Sequence, residues 1–238
     1  LFFFTDVIYR ALPVFYESLG EALVEVYGDA ARGLPLPIIL RFASGIGGDM
    51  VRADVLNLFA ETLSVAGFKP NAFLPSYGMA EATLGVSFAS TEEEIRVDVI
   101  DRAAMKEQGR AVESTDTCSD KVRHFVVCGR PLPGHKMRVV GDAGDELGER
   151  QIGRIEIAGL SRISGYYQNE AATAAIMRED GFMDTGDMGY WVDGEIVVTG
   201  RAKDMILHNG RNIWPQDIEW AVERLEQVRD GNVAAFAM

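Results

Sequence analysis

The chain has 238 residues, 47% hydrophobic and 25% charged, an ordinary globular profile with room for a sizeable core and two structural units. Its net charge of −13 excludes the phosphate-neutralising excess on which nucleic-acid binders depend. Cys118 and Cys128 make no CxxC pattern, and His124, His135 and His208 lack metal-ligand spacing, so disulfide frameworks and zinc sites are set aside and a reducing, cytoplasmic compartment is favoured.

The first segment keeps helical spacing through Phe4, Val7, Ile8, Ala11, Leu12, Phe15, Leu19, Ala22, Leu23 and Val26. Asp6, Arg10 and Pro13 interrupt it, so it reads as a buried amphipathic helix bent near Pro13, not a signal or transmembrane segment. A short strand is expected over 36–43, then the loop SGIGGDM. A helix follows over about 52–66, with Val55, Leu58, Phe59, Thr62 and Leu63 on its buried face and Gly67 at its end. Residues 71–76 form the next strand, which runs into the corner FLPSYGMAEATL, where a helix is expected to open near Met79. Strand, loop, helix, strand, corner, helix is the rhythm of an α/β layer.

After about residue 90 the texture changes to a polar stretch with one strand near 95–100 and a short helix near 102–108. Strands at 124–129, 135–141 and 153–159 then come without long helices between them. A helix over 169–177 leads into GYWVDGEIVVTG, where Asp193-Gly194 signals a hairpin turn. From Arg201 a strand MILH, a loop NGRN and a helix from Pro215 to Val228 are expected, with Ile218, Ala221, Val222 and Leu225 buried, and then a strand NVAAFAM. The division is 1–90, a partial α/β subdomain; 91–200, an insertion and a β-rich subdomain; and 201–238, a hinge and the start of a small α+β domain. A pattern already running at Leu1 and a strand that stops at Met238 are what a piece of a longer chain would show. Two basic groups stand out: Lys121, Arg123, Arg130, Lys136 and Arg138 with no acid between them, and Arg201, Lys203 and Arg211 with only Asp204. Either they face an anionic ligand or partner, or they are solvated surface.

Four segments carry chemistry together: Tyr77-Gly78-Met79-Ala80-Glu81, Gly165-Tyr166, Asp184-Thr185-Gly186-Asp187, and Gly200-Arg201-Ala202-Lys203-Asp204. In order and spacing they resemble the adenylate-forming superfamily of acyl-CoA synthetases, peptide-synthetase adenylation domains and luciferases. SYGMAEATL, CGRPLPGHKMRVV, GYYQNEAAT and GRNIWPQDIE resemble its fatty acyl-AMP ligase branch, as does the polar stretch around RAAMKEQGRAV, placed where that branch carries an insertion.

The resemblance implies activation of a fatty acid by ATP to an acyl-adenylate, with magnesium, and transfer to the phosphopantetheine thiol of an acyl carrier protein. It implies that Asp187 binds the ribose hydroxyls, a pair of donors that a two-oxygen carboxylate matches, and that Arg201 makes a second ribose contact. Tyr77 is placed where the family stacks adenine, with Gly78 and Met79 beside it, and Glu81 resembles the magnesium ligand. Each has a plainer reading: a turn aspartate, a surface ion pair, a core aromatic with a bonded hydroxyl, a turn glycine, and a glutamate favoured in a first helical turn. Where many members place a Thr before this Glu, Ala80 stands here, and Thr83 is no assured substitute. The loop SGIGGDM fails as a dinucleotide fingerprint, because after Gly45 and Gly47 the third position is Met50 or Val51, and its Gly47-Gly48-Asp49 resembles the family's adenine-side loop, with Asp49 in place of the commoner Glu. Lys203 falls at the family's hinge, and the loop around Gly210 resembles the segment that moves beside the pantetheine. The Ser/Thr/Gly-rich phosphate loop and the C-terminal catalytic Lys of the family are not found in this sequence, so the isolated chain is expected to be inactive or nearly so. A synthetase using free CoA, and a non-catalytic remnant that binds nucleotide or a partner, stay open.

Overall fold

Phe73, Pro75 and Tyr77 alternate inward along a strand whose other face is half covered, and around it a computed structural model describes residues 44–46, 50–65, 68–90, 93–116, 121–208, 211–223, 225, 227–228 and 233–237. This strand, β2 (Phe73–Tyr77), pairs in parallel with β1 (Ser44–Ile46) and antiparallel with β3 (Ser87–Phe88), which pairs in turn with β6 (Arg130–Pro131). The strand expected over 36–43 and the opening amphipathic helix lie outside the described residues, and the pairing seen falls in the segment read as a loop.

Helix α1 (Ala53–Ser64) packs on this sheet, but its buried positions are Leu56 and Ala60, with Phe59 and Leu63 alongside. Leu58 is exposed, so the inward stripe is rotated from the expected one. The rotation brings Phe59, Phe68 and Phe73 into mutual edge-to-face contact at 5.0–5.2 Å. Burying Phe68 and Phe73 contributes about 1.5–3 kcal/mol each.

Strands β4 (Val97–Asp101) and β5 (Val122–Val126) form an antiparallel pair flanking α2 (Arg102–Gln108), whose N-terminus is capped by Asp101 accepting from Ala104 N–H at 2.7 Å. Strands β7 (His135–Val140), β8 (Gly153–Gly159), β9 (Met183–Val192) and β10 (Glu195–Arg201) make an antiparallel sheet in chain order, with α3 (Glu170–Ile176) between β8 and β9. The β9–β10 hairpin turns at Asp193 and Gly194, both with positive φ, and both N–H groups donate to Glu149. One face of this sheet packs Val139, Ile155, Met183 and Ile196 against Tyr77, Ala82, Val86 and Cys128. The other packs Tyr190, Val192 and Val197 against Ile100, Met105 and Phe125. The sheet therefore lies between the β2 corner and the β4–β5 pair.

Past β10 a single 3₁₀ turn (Ala202–Asp204) leads to β11 (Ile206–His208) and β12 (Arg211–Ile213), a hairpin where the sequence suggested strand then loop. Helix α4 (Pro215–Glu223) follows, with Ile218 and Leu225 exposed instead of buried. Residues 233–237 form no strand, and Ala235 N–H donates to Glu219 at 2.9 Å.

The corner itself opens no α-helix. Ala80–Ala82 make one 3₁₀ turn, then Thr83 (φ 56°) and Leu84 (φ 86°) enter the left-handed region and Val86 N–H donates back to Tyr77 at 2.9 Å. The chain reverses because β3 is claimed by β2. Gly78 is obligatory for this reversal, since an added Cβ would sit 1.5 Å from the Leu84 carbonyl oxygen.

Candidate active site

Asp187 lies on β9 just past the turn Thr185-Gly186, whose glycine takes φ 75°. Asp184 Oδ1 accepts from Gly186 N–H at 2.8 Å, and the Thr185 hydroxyl donates to the Ile155 carbonyl at 2.8 Å while accepting from Asp187 N–H at 3.1 Å. Behind the turn Asp184 pairs with Arg178 at 2.7 Å and Arg154 at 3.3 Å. Arg178 also reaches the buried Glu156 at 2.6 Å, as does Arg138 at 2.6 Å. Alternating charges thus lock β8, β9 and the end of α3 together, and the aspartate is carried on that frame.

Asp187 is 8% exposed. Tyr77 Oη donates to its Oδ2 at 2.7 Å, and Arg201 Nε stands 3.5 Å from Oδ1. Burial raises the carboxyl's pKa, opposed by the Tyr77 hydrogen bond and the Arg201 charge. Burial and then the neighbouring Asp187 charge push the Tyr77 phenol well above its usual range, so it stays a donor. Tyr77 is itself 7% exposed and its ring packs with Val86 and Cys128 in the core, so it is the hydroxyl that reaches Asp187. Three residues that the sequence assigned to one nucleotide meet here from β2, β9 and the end of β10. Each carboxylate oxygen keeps acceptor capacity beyond these contacts, so the residues present fit a ribose diol.

The second carboxylate sits on the corner. Glu81 is half-buried in the 3₁₀ turn, its Oε1 accepts from Tyr166 Oη at 2.9 Å, and its carbonyl accepts from Ile163 N–H at 2.8 Å. Tyr166 is placed by its own N–H donating to Thr173 Oγ1 at 2.9 Å. The Thr83 hydroxyl is spent on the Ser161 carbonyl at 3.0 Å, away from any phosphate role. Among the described residues no group of three or more metal-binding side chains exists. A lone carboxylate still suits magnesium, which keeps most of its waters and takes one or two protein carboxylates alongside substrate phosphates.

Lys203 is exposed in the 3₁₀ turn two residues after Arg201. Gly47, Gly48, Asp49 and Gly210 lie outside the described residues. The first basic group is no continuous patch: Arg123 is buried and Arg138 is paired with Glu156 and Asp180. Cys128 is buried, which pushes its thiol up to about 12.

No protein-family model matches the chain. It is 46% identical over 197 residues to a putative acyl-CoA synthetase of Caulobacter vibrioides, covering 82% of this chain and 34% of that protein. It is 36% identical over 201 residues to a medium-chain fatty acid–acyl-carrier-protein ligase of Moorena producens, covering 81% of this chain and 34% of that one. A solved fatty acyl-adenylate ligase, one of those from Escherichia coli and Legionella pneumophila, superposes with a TM-score of 0.75 at 40% identity, over 82% of this chain and 35% of the other. The chain belongs to the adenylate-forming ligases. It spans about a third of the length of the curated ligases it matches.

The candidate site is carried on parts that lie inside the sequence motifs but had no task assigned to each side chain. Thr185 is the pivot of the Asp187 turn, and Tyr166 holds Glu81. Their signal was present, a hydroxyl inside each motif. Asp184 and Arg178 had none, because nothing local announces an ion pair made between a strand and the chain leaving α3.

Proposed function

We propose that the ligase to which this chain belongs activates a fatty acid with ATP to acyl-adenylate and passes the acyl group to the phosphopantetheine thiol of an acyl carrier protein. The observation that carries this reading is the meeting of Tyr77, Asp187 and Arg201, three motif residues up to 124 positions apart in sequence, around one buried carboxylate. Asp187 accepts from the ribose diol, Arg201 keeps its charge beside it, and Tyr77 fixes the carboxylate's orientation. Glu81 is the residue that would hold magnesium, which neutralises phosphate charge when bound so that two anions can approach. Lys203 sits at the pivot between adenylation and thiol transfer, and the 201–238 segment begins the small domain.

The carrier-protein acceptor rests on likeness to a relative named for that acceptor. Free CoA is the second reading, favoured by a relative named as a putative acyl-CoA synthetase. Offered ATP, magnesium, a fatty acid, holo-carrier protein and CoA together, the complete ligase should load the carrier. Exclusive CoA thioester would overturn the acceptor, and no fatty-acid-dependent pyrophosphate exchange would leave only the nucleotide-binding remnant. The isolated 238-residue chain should form no acyl-hydroxamate, and robust formation would refute its dependence on further parts.

A further inference from the structure

Arg201 faces Asp187 because β10 carries an extra residue. The β9–β10 pairing sets Val198 opposite Gly189 and then shifts, so that Gly200 stands opposite Met188 and Arg201 opposite Asp187. Regular pairing would have set Gly200 opposite Asp187 and Arg201 opposite Gly186. Thr199 is the bulged residue, fully buried, and its hydroxyl has no hydrogen-bond partner. A bulge of this kind re-aims the side chain that follows it. Arg201 does little to fix itself: its side chain is 55% exposed and its Nε stands 3.5 Å from Asp187 Oδ1.

What holds the bulge comes from further along the chain. Gly200 takes φ 136°, which residues with a Cβ rarely adopt, and the ring of Trp214 closes over it. A Cβ added at Gly200 would lie 2.9 Å from Trp214 Cζ3 and 3.1 Å from Cε3. Trp214 is buried in the cluster that contains Tyr190 and Val197 of the hairpin, and the Arg123 guanidinium carbon lies 5.8 Å from its ring centroid. Its carbonyl accepts from Asp217 N–H at 2.9 Å, and the Asp217 carboxylate is ion-paired with Arg102 at 2.9 Å and Arg123 at 3.2 Å. The start of α4 is thereby pinned, and it clamps the ring onto the hairpin at Gly200.

We propose that Trp214 is a positioning residue for the Arg201 contact to bound nucleotide: by closing over Gly200 it keeps the bulge, and the bulge keeps Arg201 opposite Asp187. The inference rests on the nucleotide-binding reading of Asp187 and Arg201. It makes the second ribose contact conditional on the docking of the segment after β10, the one that pivots at Lys203 in the proposed reaction. When that segment leaves the hairpin, the ring leaves Gly200 and Arg201 loses its fixed aim. Asp187, braced by Asp184 and Thr185, keeps its own. The adenylate is then held by both residues in one arrangement and by the aspartate alone in the other.

A double-mutant cycle on the complete ligase tests this, with affinity for a non-hydrolysable acyl-adenylate read by calorimetry. Arg201→Met should weaken binding about tenfold. Trp214→Leu should weaken it about threefold to tenfold when Arg201 is present, and by less than about twofold in the Arg201→Met background. Trp214→Phe keeps a ring in the core with a shorter edge over Gly200. It should fall between the native protein and Trp214→Leu, with the same dependence on Arg201, and it carries the cycle if Trp214→Leu is too unstable to assay. A role in packing alone would cost the same factor in both backgrounds; that result, or an affinity indifferent to both Trp214 variants, would overturn the proposal. An affinity unmoved by Arg201→Met and by Asp187→Asn would instead overturn the nucleotide reading, and the proposal with it.

Discussion

Asp187 sits on a ten-residue strand, 8% exposed, on a turn braced by Asp184, Thr185 and an arginine cluster. Glu81 sits on a three-residue turn that ends in two left-handed residues, half-exposed, with one tyrosine hydroxyl on its side chain. The same functional group is therefore fixed in one region and lightly tethered in the other. In the proposed reaction the adenosine handle is common to both half-reactions, while pyrophosphate leaves after the first. A rigid grip suits the first and a yielding one the second.

The strongest way to break that comparison is Asp187→Asn. Charge-assisted hydrogen bonds are worth about 1.5–3 kcal/mol each, so affinity for a non-hydrolysable acyl-adenylate should fall by about a hundredfold. Unaltered affinity in calorimetry would remove Asp187 from the nucleotide site.

Tyr77→Phe sharpens it at the next level. The hydroxyl supports a buried carboxylate, so urea unfolding at neutral pH should show a loss of about 2 kcal/mol. Its pH dependence has a defined sign. Asp187's pKa is raised on folding, mainly by burial, so its contribution is complete below the unfolded value, near 3.9, and declines as pH rises through the native value. Removing the Tyr77 donor raises the native value further. The penalty of the substitution should therefore be largest above the native pKa and shrink as pH falls towards the ordinary carboxylate range. A penalty constant with pH would mean that the hydroxyl serves packing alone.

The smallest effect belongs to Tyr166→Phe. The ring is partly exposed, so stability should change by no more than about 0.5 kcal/mol. The magnesium concentration for half-maximal pyrophosphate exchange by the complete ligase should nonetheless rise a few-fold. A loss of stability as large as that of Tyr77→Phe would show that the corner is built as firmly as β9.

Strands β7, β8 and the β9–β10 hairpin were readable because they are short apolar runs and the hairpin carries Asp193-Gly194, signals that lie within a few residues of one another. The corner was not. A helix was expected from the run after Met79, but the outcome is settled by β3 pairing with β2 and by the Leu84 carbonyl pressing on Gly78, both tertiary facts. Helix α1 shows the same limit, since several rotations of its apolar stripe were possible and the triple contact of Phe59, Phe68 and Phe73 selected one. For the site, residue types and order identified Tyr77, Asp187, Arg201 and Glu81 as candidates, while the hydrogen bond that joins Tyr77 to Asp187 has no local trace.

That hydrogen bond spans 110 positions. A hairpin such as β9–β10 closes over two turn residues and can form early, whereas Tyr77 must wait until nearly half the chain has been ordered between it and its partner. During synthesis the aspartate emerges long after the tyrosine, so the proposed nucleotide grip is expected to be a late product of folding. In refolding experiments ligand-binding competence should trail the formation of sheet structure, and the lag should lengthen in Tyr77→Phe only if the contact is already made at the rate-limiting step.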